Sequence, residues 1–219
     1  MKRAAVFLSA LLAMTGLTGA KPSHTLETVK AVPKGLSKKV VAVLDPTTYR
    51  IRTDKGAVCE IWFVKSAAVK KATGTYSSFA EGQLLGALRV GKAAPYTDFR
   101  GQELKPGTYT LRYGKQPVDG NHVGTSELPD FLLALPAKTD TDPKTLTMKE
   151  MFHKQSAKAA GTTHPAIFAL LPGKKTTKVT LSHDEDKELW ILSVTVNAAA
   201  KDKKAPVPLT MVAVGKTDE

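Results

Sequence analysis

The sequence predicts a mostly β protein, an antiparallel β-sandwich carrying one inserted α-helix. Three observations predict it. Short apolar or alternating runs recur between turn residues along most of the chain, the spacing expected of an all-β domain. A single segment departs to a helical period behind a capping box. The composition, 42% hydrophobic over 219 residues with 6% aromatics, is that of a folded domain with a core and not of a basic disordered tail.

The first segment is not part of that domain. Residues 1–20 (MKRAAVFLSALLAMTGLTGA) open with Lys2 and Arg3, continue through an apolar stretch from Ala4 to Met14, and place Thr18 and Ala20 where a signal peptidase inspects small residues. This is the pattern of a secretory signal peptide, too short and wrongly flanked for a membrane span. The expected location is therefore periplasmic or extracellular. No Cys follows the stretch to carry a lipid, and no later segment reaches 18 uninterrupted apolar residues, so no transmembrane anchor is expected in the mature chain.

Residues 21–36 contain Pro22, Pro33 and Gly35 with little periodicity, and read as a linker or leading segment. A single β-sandwich domain is expected over 37–219. Within it, residues 39–44 (KVVAVL), 48–53 (TYRIRT) and 57–64 (AVCEIWFV) are separated by Asp45-Pro46 and by Asp54-Lys55-Gly56, and read as an antiparallel meander. Residues 84–90 follow, and 108–113 (TYTLRY) alternate after the Lys105-Pro106-Gly107 turn. Residues 131–135 (FLLAL) and 166–171 (AIFALL) are continuously apolar, as strands buried on both faces are. Residues 178–181, 189–196 (LWILSVTV) and 207–214 complete about ten strands. The helix is expected from about 148 to 160. Thr147 and Glu150 form its capping box, Met148, Met151, Phe152 and Gln155 share one face, and Gly161 stops it. The sandwich is of immunoglobulin-like or jelly-roll-like type.

The charge is +12, and +10 without Lys2 and Arg3. It comes from 26 Lys and only 6 Arg, scattered along the chain. Nucleic-acid recognition favours the planar Arg fork with interleaved aromatics, and no such pattern is apparent among the scattered lysines, so no nucleic-acid partner is expected. A lysine-rich solvated surface remains, with weak attraction to anionic glycans as its functional counterpart. The single cysteine, Cys59, excludes an intramolecular disulfide and any Cys-based metal site. In an apolar strand it reads as a buried inert thiol, with an intermolecular disulfide as the alternative.

The stretch from Asp98 to Tyr113 (DFRGQELKPGTYTLRY), continuing to DGNH at 119–122 and DFLL at 130–133, with GTTHP at 161–165, resembles an uncharacterised group of exported bacterial β-rich proteins. The resemblance covers roughly residues 60–171. It implies a β-sandwich fold and a secreted context, and carries no activity with it.

Candidate site residues concentrate in the polar loop 116–130 (QPVDGNHVGTSELPD) and in the Gly/Thr loop before residue 166. If the strands starting at Phe131 and Ala166 are neighbours, His122 and His164 could meet at one end of the domain. With Asp119 or Asp130 they would then suit zinc or another divalent transition metal. No HxH or HExxH spacing supports this, and the competing reading, which the lack of a spacing favours, is that both imidazoles hydrogen-bond backbone groups and brace their loops. The acidic groups at 183–188 and at Asp140 and Asp142 lack the twelve-residue calcium pattern. There is no GxSxG, P-loop or dinucleotide fingerprint. Two functional expectations follow. The first is an exported non-catalytic protein binding an unknown ligand or envelope component, or serving a structural role there. The second is a metal-binding protein or metal-dependent enzyme built on His122, His164, Asp119 and Asp130.

Overall fold

The computed structural model describes residues 23–116, 128–151, 159–161, 164–173 and 176–217. The described residues form eleven strands: β1 (Thr25–Lys30), β2 (Thr47–Thr53), β3 (Gly56–Phe63), β4 (Ala67–Ala68), β5 (Leu84–Val90), β6 (Gly107–Lys115), β7 (Asp130–Pro136), β8 (Ile167–Leu171), β9 (Thr180–Asp184), β10 (Leu189–Ala199) and β11 (Lys204–Val214). They form one continuous sheet in the order β1-β2-β3-β5-β6-β7-β8-β11-β10-β4, with β9 on the same edge of β10 as β4. Every pairing is antiparallel except that of β4 with β10. β1 and β9 touch, so the sheet curls until its ends nearly meet, like a barrel.

The mostly antiparallel β architecture is the expected one, and eight expected strands lie where alternation or continuous apolar runs placed them, as β2, β3, β5 to β8, β10 and β11. β9 is displaced by two residues toward the C-terminus. The enclosed core draws on strands all round the sheet, with Ile51, Ile61, Leu88, Leu111, Phe168 and Leu209 each at most 1% exposed. On the opposite face of the first strands runs a ladder of charges in direct cross-strand register: Glu27 opposite Arg50, Arg50 opposite Glu60, Glu60 opposite Arg89. Arg50 Nε and Arg89 Nε donate to the two oxygens of buried Glu60 at 2.8 and 2.5 Å, and Arg52 donates to Glu27 at 2.6 Å.

Two elements differ from expectation. Residues 21–36 are not merely a leading segment, because Thr25–Lys30 pairs with Thr47 to Arg52 of β2. As an edge strand, β1 needs only Leu26 and Val29 to be apolar, and its charged Glu27 is anchored by Arg50 and Arg52. The expected strand KVVAVL is a short helix, α1 (Lys38–Val43). Its apolar positions fit both periods. Ser37 decides the outcome, since its Oγ accepts from Val40 N at 3.2 Å as an N-cap. The helical turn then carries Val40 and Leu44 inward together.

The second helix, α2 (Met148–Glu150), begins as expected: Thr147 Oγ1 accepts from Glu150 N and Glu150 Oε2 accepts from Thr147 N, at 3.4 and 2.8 Å. Met151 buries against Phe131 and Leu133. The expected continuation to 160 passes through residues 152–158, which lie outside the described residues.

Candidate functional site

β8 hands the sheet from one half to the other. Its first residues pair with β7, Ile167 opposite Leu133 and Ala169 opposite Phe131, while Leu170 and Leu171 pair instead with Met211 and Thr210 of β11. Beyond that transfer the start of β7 and the end of β8 part. A cleft of about 400 Å³ opens between them, lined by Tyr76, Tyr113, Lys115, Asp130, Leu170 and Pro172 among others. Lys115 lies directly opposite Asp130 in the β6–β7 ladder, and Tyr113 is two residues before Lys115, so all three share one face.

The polar groups of the cleft are held in fixed positions. Tyr113 donates its hydroxyl to Asp130 Oδ1. Its ring lies edge-on to Phe79, with centroids 5.7 Å apart. Burial first, and the Asp130 carboxylate second, push the Tyr113 phenol far above its ordinary pKa. Tyr76 donates to Leu171 O at 2.8 Å and accepts from Thr210 N at 3.0 Å. Burial pushes that phenol up to about 12. Both rings are therefore neutral hydrogen-bonding groups at physiological pH. Tyr76 stands in a 3-10 turn (Tyr76–Ser78) shaped by a knot of hydroxyls, in which Thr73 meets Ser78 at 2.7 Å and Thr75 meets Ser77 at 2.8 Å.

Of the residues singled out by sequence, Asp130 lies in this cleft. Asp119 and His122 lie outside the described residues. β7 and β8 are indeed neighbours, but antiparallel ones, so their starting residues stand at opposite ends of the pair. Asp130 is beside Leu170, whereas His164 is two residues before Ala166, which accepts from Ala134 N at 3.0 Å. Asp130 and His164 are thus separated by about six strand residues, roughly 20 Å. The Gly/Thr loop of His164 instead meets the DFRGQ segment. Asp98 accepts from Arg100 N, Gln102 N, Gln102 Nε2 and Ile167 N, and Gln102 Nε2 also donates to Pro165 O. Burial raises the Asp98 pKa, and its N–H donors pull against that rise. The two sequence signatures therefore clamp each other across the fold.

The acidic loops have partners of their own. Asp140 is buried and holds Arg112 in a two-pronged pair, with Nε to Oδ2 at 2.6 Å and Nη2 to Oδ1 at 2.7 Å, while Thr110 also donates to Oδ2. Asp142 accepts from Lys144 N and from Lys39. His183 stacks on Trp190 at 4.3 Å, with its Nε2 3.6 Å from a Glu188 oxygen. Among the described residues, no three His, Cys, Asp or Glu side chains gather as a metal site would require. His24, at the entrance to β1, also packs on Trp190, at 4.9 Å.

Tyr76 and Tyr113 were not singled out by sequence. Alternation in TYTLRY puts Tyr113 on the face of Tyr109 and Leu111, but nothing in the spacing joins it to Tyr76, 37 positions away. Compared with family models, with curated proteins and with solved structures, the chain matches none. The chemistry of the cleft therefore rests on its own residues.

Proposed function

We propose that this is an exported, non-catalytic binding protein of the cell envelope or its surroundings, and that the cleft at the β7–β8 parting takes its ligand. The single observation that carries the reading is a pair of neutral phenols, Tyr113 buried and Tyr76 half-buried, each fixed by hydrogen bonds, beside one carboxylate and one ammonium group. Phenols so far from ionising are poor proton-transfer groups near neutral pH and good contact surfaces. Apolar rings and prolines with a few placed polar groups are the usual make-up of a small-molecule site. The signal-like residues 1–20 supply the exported context. The same reading holds the two halves of the sheet on either side of β8 as the faces of a sandwich, with the helix running on to about residue 160.

Thermal unfolding with a panel of neutral and acidic oligosaccharides, amino acids, short peptides and Zn²⁺ tests it. At a hundredfold excess over Kd, a true ligand adds about 2.7 kcal/mol, which for a chain of this size raises Tm by roughly 5–10 °C. The shift is expected to vanish in Asp130→Asn and Lys115→Ala. A panel without any shift, or a shift that survives both substitutions, overturns the cleft. Stabilisation by Zn²⁺ that disappears in His122→Ala and His164→Ala would establish the metal-site reading in its place.

A further inference from the structure

The lysines that look scattered in sequence are gathered by one topological feature, the parallel pairing of β4 with β10. Ala67 lies opposite Ala198 and Ala68 opposite Ala199, and Val69 N donates to Ala199 O at 3.0 Å. The chain leaving β4 continues at once into Lys70 and Lys71. The chain leaving β10 turns through Lys201, Asp202 and Lys203 into Lys204, the first residue of β11. Parallel neighbours run in the same direction about 5 Å apart, so both segments project from the same end of the sheet. Five exposed lysines and one aspartate thus converge from segments some 130 positions apart.

No ion pair occupies these five lysines among the described residues. The neighbouring surface is rich in hydroxyls. Thr73, Thr75 and Ser77 are exposed and follow directly on Lys71. Gly74, between them, lies against Pro206 O, two residues past Lys204.

We propose that this lysine surface binds an acidic polysaccharide, a polymer of carboxylated or sulfated sugars. Unpaired ammonium groups on flexible stems suit dispersed anionic charge with no fixed geometry, where a planar guanidinium would add no advantage. Exposed hydroxyls beside them offer hydrogen bonds to sugar hydroxyl groups. An anionic membrane is the poorer fit, because stable membrane docking needs an apolar insertion as well as charge. Val32 is the exposed large hydrophobic residue among those described, and it follows β1 instead of standing in this surface. The five lysines lie outside the cleft, although Thr75 and Ser77 beside them also line it, and the proposal does not depend on the cleft's own ligand.

The test uses polygalacturonate as the probe, with uncharged dextran as its control. Binding is expected at about 20 mM salt and is expected to fade by about 200 mM, as the screening length shrinks below the spacing of the charges. A variant with Lys70, Lys71, Lys201, Lys203 and Lys204 each replaced by Gln is compared with one in which Lys55, Lys105, Lys138, Lys149 and Lys187 are replaced. Both remove the same charge from exposed positions. The first is expected to weaken binding about tenfold or more and the second less than about threefold, since local potential and not net charge governs the contact. Equal losses in the two variants overturn the assignment. So does binding to phosphatidylglycerol vesicles in preference to polygalacturonate, or equal binding to dextran. Lysine footprinting of the wild-type chain reads the same surface without substitution. Protection by polygalacturonate is expected at Lys70, Lys71 and Lys201 to Lys204, and protection elsewhere refutes the proposal.

Discussion

Arg112 donates from all five of its guanidinium N–H positions while wholly buried. Besides Asp140, it reaches Gly82 O and Lys144 O through Nη1, and Asp142 O through Nη2, at 2.6–2.8 Å. One side chain therefore fastens the loop after β7 and the turn before β5 onto the middle of β6. A buried pair of this kind costs about 3–5 kcal/mol to break from one side, because the remaining charge is stranded. Asp140→Asn and Arg112→Lys are both expected to lower denaturant stability by roughly that amount. Lys fails because an ammonium cannot match a five-donor fork. Stability within about 1 kcal/mol of wild type in either variant would refute this role. The sequence could not have shown it. In TYTLRY the alternation places Arg112 opposite the tyrosine face and suggests a solvated charge, and its carboxylate partner lies 28 positions away. Asp98 was equally opaque, since its donors come both from its own loop and from Ile167, 69 positions on.

At the level of elements, the place where the sheet nearly closes has a pH dependence of its own. His24, entering β1, packs on Trp190 of β10, and His183 of β9 stacks on the same ring. Burial first, and then the charge on His183, hold the His24 pKa below its ordinary value; His183 Nε2 itself faces a Glu188 oxygen at 3.6 Å. The unfolded chain thus takes up this proton at a higher pH than the folded one. Below the ordinary His pKa near 6.5 the unfolded state gains, and stability falls until the folded His24 is itself protonated. Melting between pH 7.5 and 5.5 is expected to show this loss, and His24→Phe is expected to flatten it. An unchanged pH profile in that variant would contradict the assignment.

Elements with strong alternation or continuous apolar runs were legible from sequence, since their burial sets their composition. β1 was not, because an edge strand answers to one neighbour only, and its pairing is fixed by Arg50 and Arg52 in β2. α1 was not, because Val40, Val41, Val43 and Leu44 satisfy both periods and a capping hydroxyl settles the matter. Of the cleft, only Asp130 was legible, through its polar loop. Its other walls come from four separate segments.

For the molecule as a whole, the sheet's closure decides the state of the single cysteine. Cys59 is 1% exposed, and burial pushes its thiol up to about 12. Tyr96 packs nearby and donates to Ala213 O at 2.6 Å, tying this part of the interior to β11. A thiol so placed is neither ionised nor reachable near neutral pH, and an intermolecular disulfide would need the sheet to open. Native protein is expected to leave a thiol reagent unreacted and to take up one equivalent in denaturant. Stoichiometric labelling of native protein, or a disulfide-linked dimer on a non-reducing gel, would overturn the buried assignment.

The strand order also fixes a sequence of events during folding. β1, β2, β3, β5, β6, β7 and β8 are neighbours almost in the order of synthesis, so each can pair soon after it is made, at a small loop-closure cost. β4 is the exception. It emerges early, between β3 and β5, and waits more than a hundred residues for β10. Its docking is therefore a late step, and the surface formed by Lys70, Lys71 and the β10–β11 turn is absent from any partly folded chain. Affinity for an acidic polymer through that surface would then report completion of the fold, as a property that only the finished molecule possesses.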